Sequence, residues 1–173
     1  MGDMSPHFDR KEFACKCGCG KSDVSQELVN MLEKMFAYFA ATPTGCKCII
    51  VNSGCRCSKH SVAVGGYTND AHTRGIAADI TVYRSDGVVY IPEVMAAVAE
   101  YVGFSGIGLM ASNVHVDIRN KTNYINAHWF GDEVTGDNNI QTFKQFLPQQ
   151  TQTNSKHKVQ LIIDGKTVYT TEV

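Results

Sequence analysis

No excess of basic residues marks this chain: 16 Lys and Arg stand against 17 Asp and Glu, for a formal net charge of −1. A surface so balanced offers no footprint for releasing counterions from a phosphate backbone or an anionic membrane, which excludes nucleic acid as the expected partner. Long apolar runs are missing too. The longest, Val88 to Phe104, is interrupted by Pro92, Glu93 and Glu100 and falls short of the ~20 residues that span a bilayer, so no membrane insertion is expected. The opening segment, Met1 to Phe13, has no basic region followed by an apolar one, and the expectation is synthesis in the cytoplasm without a signal peptide. There is no Cys-x-x-Cys, which weighs against a thiol redox or metal-storage protein, and there is no internal repeat.

What is present describes an ordinary soluble domain: 173 residues, 43% hydrophobic and 19% charged. That length suffices for one core burying roughly two thirds of the unfolded surface, with a short appendage left over. Seven cysteines fall in two clusters, Cys15, Cys17 and Cys19, then Cys46, Cys48, Cys55 and Cys57. An odd count cannot pair fully within one chain, and without a secretory signal reduced thiols or a metal site are favoured over a disulfide framework.

Periodicity places the elements. Leu28, Met31, Leu32, Met35, Phe36 and Phe39 recur at spacings of three and four, which predicts an amphipathic helix between Val24 and Ala40, capped by Asp23 or Ser25. Cys48 to Asn52 and Ala77 to Tyr83 read as strands, and Tyr90 to Val102 as a helix entered through Pro92 and ended by Gly103 to Gly108. Ser58 to Arg74 reads as a long surface loop. From Asn113 to Arg119 the residues alternate, with Val114, Val116 and Ile118 on one side of a strand and His115, Asp117 and Arg119 on the other. A short helix around Ile140 to Phe146 follows, and Lys158 onward predicts a hairpin turning at Asp164-Gly165. The expected organisation is a domain over 1–147, a polar linker over 148–157, and a β-hairpin appendage over 158–173, in a monomer.

Chemistry concentrates in three residues. Six residues separate His72 from Asp79, so a loop can bring the imidazole over a strand that carries the carboxylate, and His115 can come from a neighbouring strand. Two imidazoles and a carboxylate, with a fourth place open to water, suit catalytic zinc better than calcium or magnesium, which favour oxygen cages. Taken singly, each of these residues is a common loop or strand residue. Their surroundings give the set its meaning.

Asn52-Ser-Gly-Cys-Arg56, Asn69-Asp-Ala-His-Thr-Arg-Gly-Ile-Ala-Ala-Asp-Ile80 and His115-Val-Asp-Ile-Arg119, in that order and spacing, resemble the zinc D-Ala-D-Ala peptidases of the peptidase M15 family. The likeness is to its short, endolysin-type members, which begin with a His-Phe…Glu-Phe segment, here His7-Phe8 and Glu12-Phe13. It covers residues 4 to 130. The resemblance implies an α+β hedgehog/DD-peptidase fold, a small antiparallel sheet with helices packed on one side and a zinc cleft. It further implies Zn2+ held by His72, Asp79 and His115, Arg56 binding a substrate carboxylate or carbonyl, and a peptidoglycan peptide as the partner, reached by release through a phage holin. The rival expectation is a zinc-stabilised cell-wall-binding or phage structural module of the same fold.

The chain departs from the family pattern in three places. The acid that many relatives carry three residues before the last zinc histidine is Ser112 here, which leaves Asp117 as the carboxylate on the same strand face, either as general base or as the group that orients a ligand. The serine two residues before the first histidine is Asp70, a charge near the metal or a turn former, and the aromatic before the arginine is Cys55, a packing residue. Cys17, Cys19, Cys57 and His60 have the composition of a second, closed structural zinc site, with disulfide pairing and simple buried cysteines as the competing readings. Trp129 is expected as a core residue or a cleft wall, and His7 and His157 as solvated.

Overall fold

The computed structural model describes residues 2–119, 127–130, 142–150, 158–163 and 166–172. Helix α1, Gln26–Ala40, forms on the apolar stripe and is capped by Ser25, whose side chain accepts from the Glu27 amide. Its buried face runs from Leu28 and Val29 through Leu32 and Met35 to Phe39. Helix α3, Pro92–Val102, starts with the proline where a missing N–H costs nothing and stops at Gly103, whose φ of 99° needs no Cβ. Between them, the segment expected as an unbroken loop opens with a short helix, α2, Ser58–Ala63. The loop composition hid it because its cap is a thiol: Cys57 Sγ accepts from the His60 amide at 3.4 Å.

Five strands make the sheet: β1 Cys48–Ser53, β2 Ala77–Tyr83, β3 Gly106–Leu109, β4 Val114–Asp117 and β5 Ala127–Phe130, in the order β1-β2-β4-β3-β5. The α+β class is as expected, but the sheet is mixed, not antiparallel throughout. Strand β5 runs parallel to β3 because the chain leaving β4 crosses to the far edge of β3. Strand β3 occupies residues expected only to terminate a helix. Its two glycines disguised it, and the site explains them.

Strand alternation divides the sheet into two faces. Ala78, Ile80, Val82, Ile107, Leu109, Val114 and Val116 are buried in one core with α1 and α3. At roughly 25 cal/mol per Å2 of apolar surface, this burial is the main favourable term in folding. The opposite face carries Asp79, His115 and Asp117, in register across β2 and β4 with Asp79 opposite His115. A bulge between Val51 and Ser53 sets Ser53 opposite Asp79 and re-aims the end of β1 toward this face.

The N-terminal arm is tied down. A 3-10 turn, Arg10–Phe13, closes with a capping box between Asp9 and Glu12, and Phe8 and Phe13 are buried. His7, expected to be solvated, is exposed and also has a partner, with Nδ1 2.7 Å from Glu33 Oε2 and its ring 3.6 Å from that of Phe36. A second 3-10 turn, Lys144–Phe146, stands where a helix was expected to end, while 140 and 141 lie outside the described residues. Strands β6, Lys158–Ile163, and β7, Lys166–Glu172, pair as a separate two-stranded sheet. Their expected Asp164-Gly165 turn, His157 and linker residues 151–157 lie outside the described residues. No described helix is long and apolar enough to cross a membrane.

Candidate active site

Three side chains from two strands and one loop meet at the foot of a cleft. Asp79 and His115 are register partners on β2 and β4, so their separation follows from sheet geometry. His72 comes from the turn before β2, which Asp70 shapes: its Oδ1 accepts from the Thr73 amide at 2.8 Å, and its other oxygen bonds the Ser61 hydroxyl. Gly75 closes this turn at φ 69°, against the Asp23 carbonyl, where any side chain would collide. Asp70 therefore holds the loop and also lines the cleft.

The candidate ligand atoms form a small triangle. His72 Nε2 lies 3.2 Å from His115 Nδ1 and 3.3 Å from Asp79 Oδ1, and His115 Nδ1 lies 2.9 Å from Asp79 Oδ1. A tetrahedral zinc ion with bonds near 2.0–2.1 Å sets its ligand atoms roughly 3.3 Å apart, so the three residues fit such an ion. The tautomers fit as well. His72 Nδ1 donates to the Gly54 carbonyl at 2.8 Å, and His115 Nε2 faces Asp117 Oδ2 at 3.1 Å, which turns the remaining ring nitrogen of each toward the common centre.

Charge is arranged for a cation. Burial opposes an imidazolium at His115, but its hydrogen bonds to Asp117 and Asp79 and their charges outweigh it and raise its pKa to about 9. Burial likewise opposes the carboxylates, yet the two histidines hold Asp79, and His115 with Arg119 hold Asp117, well below the usual carboxylate range.

Asp117 is fully buried. Its Oδ2 accepts from Arg119 Nη2 at 2.5 Å as well as facing His115, and its Oδ1 accepts from the Arg119 amide at 2.9 Å. Both oxygens are thus engaged behind the imidazole, on the side away from the ligand triangle. Arg56 stands at the cleft edge, with Nη2 2.6 Å from Asp79 Oδ2 and Nε 2.9 Å from Ser53 Oγ. The cleft encloses about 250 Å3, and its walls include Gly66, Tyr67 and Trp129. Trp129 is buried and still forms a wall, its ring 5.2 Å from His115 and 5.1 Å from the Arg119 guanidinium.

Arg119, Gly106 and Gly108 were not singled out from sequence as site residues. Gly106 faces Asp117 across β3 and β4 so closely that a Cβ would collide with the carboxylate, and a Cβ at Gly108 would lie 2.5 Å from the Trp129 ring. The signal available was the i, i+2 spacing of each pair, Gly106 with Gly108 and Asp117 with Arg119. Of the second metal set, Cys17, Cys19 and Cys57 do come together, but with Cys15 and not His60. His60 sits inside α2, and its amide, three residues beyond the cap, is what meets Cys57 Sγ.

A two-histidine, one-carboxylate centre in an open cleft on a small mixed sheet is the frame of a metallopeptidase. The family model described as Peptidase M15 matches residues 6–119, which contain all three candidate ligands and Arg56. The chain belongs to the peptidase M15 family, whose members are typically zinc-dependent. No curated protein and no solved structure matches the chain.

Proposed function

We propose that this peptidase uses zinc held by His72, Asp79 and His115 to hydrolyse peptide bonds in the stem or cross-link peptides of bacterial peptidoglycan, as a lysin that reaches the wall by release from the cytoplasm. The observation that carries this is the ligand triangle of 2.9–3.3 Å at the foot of an open cleft with Arg56 on its edge. The chemistry supplied by zinc there is Lewis-acid catalysis, activation of a water toward a pKa of about 7 and polarisation of the scissile carbonyl.

The protein's own groups do the rest. Arg56 binds a substrate carboxylate or carbonyl through its planar fork, with charge-assisted hydrogen bonds worth about 1.5–3 kcal/mol each when sheltered. Asp117 positions His115, and Arg119 neutralises Asp117. Gly65, Gly66 and Ala71 line one wall of the cleft with little side chain, which lets a peptide backbone approach closely, while Tyr67 and Trp129 present flat apolar faces.

A second reading, a wall-binding module without hydrolysis, is favoured by one observation. Among the described lining residues the carboxylates are Asp70 and Asp79, and each is already bonded, Asp70 within its turn and Asp79 to Arg56 and the histidines. Incubation of the zinc-loaded protein with purified peptidoglycan separates the two. New amino termini, detected by mass spectrometry and lost in His72→Ala together with the zinc of the histidine centre, are expected. Intact peptidoglycan at full zinc occupancy would leave only the binding reading.

A further inference from the structure

Away from the cleft, four thiols converge. Three belong to Cys15-Lys16-Cys17-Gly18-Cys19-Gly20, a tight loop closed by the Gly18 amide on the Cys15 carbonyl at 3.1 Å and the Cys15 amide on the Lys21 carbonyl at 2.8 Å. Gly18 and Gly20, at φ 78° and 80°, permit the double turn that sets residues 15, 17 and 19 around one point. The fourth, Cys57, arrives from the cap of α2. One sulfur from each lies within 4.8 Å of all the others, with Cys15 to Cys17 at 3.3 Å and Cys17 to Cys57 at 3.7 Å.

We propose that Cys15, Cys17, Cys19 and Cys57 bind a structural zinc ion, separate from the histidine centre. Tetrahedral zinc with Zn–S bonds near 2.3 Å spaces its sulfurs roughly 3.8 Å apart, close to the spacings observed. The four sulfurs gather around one point and not as two bonded pairs, and none of the seven cysteines is joined in a disulfide. Backbone amides already point at the sulfurs, from Cys57 to Cys15 Sγ and from His60 to Cys57 Sγ, both at 3.4 Å, as they do where thiolate charge is to be held. Four soft thiolates with no oxygen donor select zinc over magnesium or calcium, and four protein ligands leave no place for substrate, so the site is structural.

Its position gives it work to do. Cys57 directly follows Arg56, and the next turn of chain leads through α2 to Gly65, Gly66 and Tyr67 on the cleft wall. The Cys55 amide meanwhile donates to the Phe13 carbonyl at 2.7 Å. An ion at the four thiols clamps the N-terminal arm to the segment that carries the substrate arginine.

Zinc content and cobalt spectroscopy test this without any substrate, so the result is independent of the peptidoglycan assay. Reduced full-length protein is expected to hold one zinc more than either His72→Ala or Cys17→Ser, and each variant to keep the other ion. Should Cys17→Ser fail to fold, His72→Ala still carries the test. It retains all four thiols, and with cobalt it should show intense sulfur-to-metal charge-transfer absorption, abolished by a thiol-specific mercurial. Reduced His72→Ala that binds no metal, or binds cobalt without thiolate absorption, overturns the proposal, as does a disulfide among these cysteines in protein kept under reductant.

Discussion

His115 is gripped from both sides of its ring, by Asp79 at Nδ1 and by Asp117 at Nε2, and the second grip decides which nitrogen faces His72 and Asp79. Carboxylates in this position raise ligand basicity and fix ring orientation, and their loss typically costs 10–100-fold in metal affinity. Asp117→Asn should therefore weaken zinc binding by roughly that factor, measured by competition with a chelating dye. It should lower kcat more than KM at partial zinc loading. Zinc affinity equal to the parent's, with kcat collapsed, would instead make Asp117 the proton acceptor. Of the residues at this scale, the meeting of His72, Asp79 and His115, with Arg56 beside Asp79, was legible from motif order. The engagement of Asp117 was not, because a carboxylate two residues from a histidine on a strand face can turn toward the cleft or behind the ring, and only Arg119 and Gly106 settle which.

Strand β3 shows how an element can serve a site it does not touch chemically. Gly106 and Gly108 leave the space that Asp117 and Trp129 fill, in register with Asp117 and His115 on β4. Gly106→Ala forces the carboxylate or the strand to move. Overpacking of this kind costs about 1–3 kcal/mol, and here it should also loosen zinc, because the displaced group positions His115. Chemical denaturation and zinc titration of the variant check both effects; parental values in each would mean that β3 does not set the carboxylate's place. Helices α1 and α3 and strands β1, β2 and β4 could be read from periodicity and capping residues. Strand β3 could not, since glycine is depleted in strands and carries a turn signal, nor could α2, whose cap is a cysteine, nor β5, whose place depends on a parallel partner distant in sequence.

Across the whole molecule, the arm that brings the cysteine loop to Cys57 is anchored on α1. Glu33 accepts from the His7 amide at 2.9 Å and pairs with its ring. Burial raises the Glu33 pKa, but the neighbouring Ser5 hydroxyl and then the His7 hydrogen bonds and charge outweigh it and hold the group below its ordinary value of 4.5. A depressed folded-state pKa contributes stability that is present above pH 4.5 and is lost as pH falls through the folded-state value. Glu33→Gln should lower stability by about 0.5–1 kcal/mol near neutral pH, a modest figure because the pair is partly screened by solvent. The deficit should shrink in acid, as followed by denaturant melts across pH. A deficit that stays constant down to acid would trace it to packing instead of charge.

Sequence by itself determined the elements whose period is local, the two histidines and one aspartate that could hold a metal ion, and the family to which their spacing belongs. Those properties reside in neighbouring residues along the chain. Tertiary structure alone decided the mixed sheet, the choice of Cys15 over His60 beside Cys57, the burial of Asp117 behind His115, and the glycines that make room for it. Each of these depends on strand register or on the meeting of segments far apart in the chain, and a shift of one residue in either would exchange the groups that face one another.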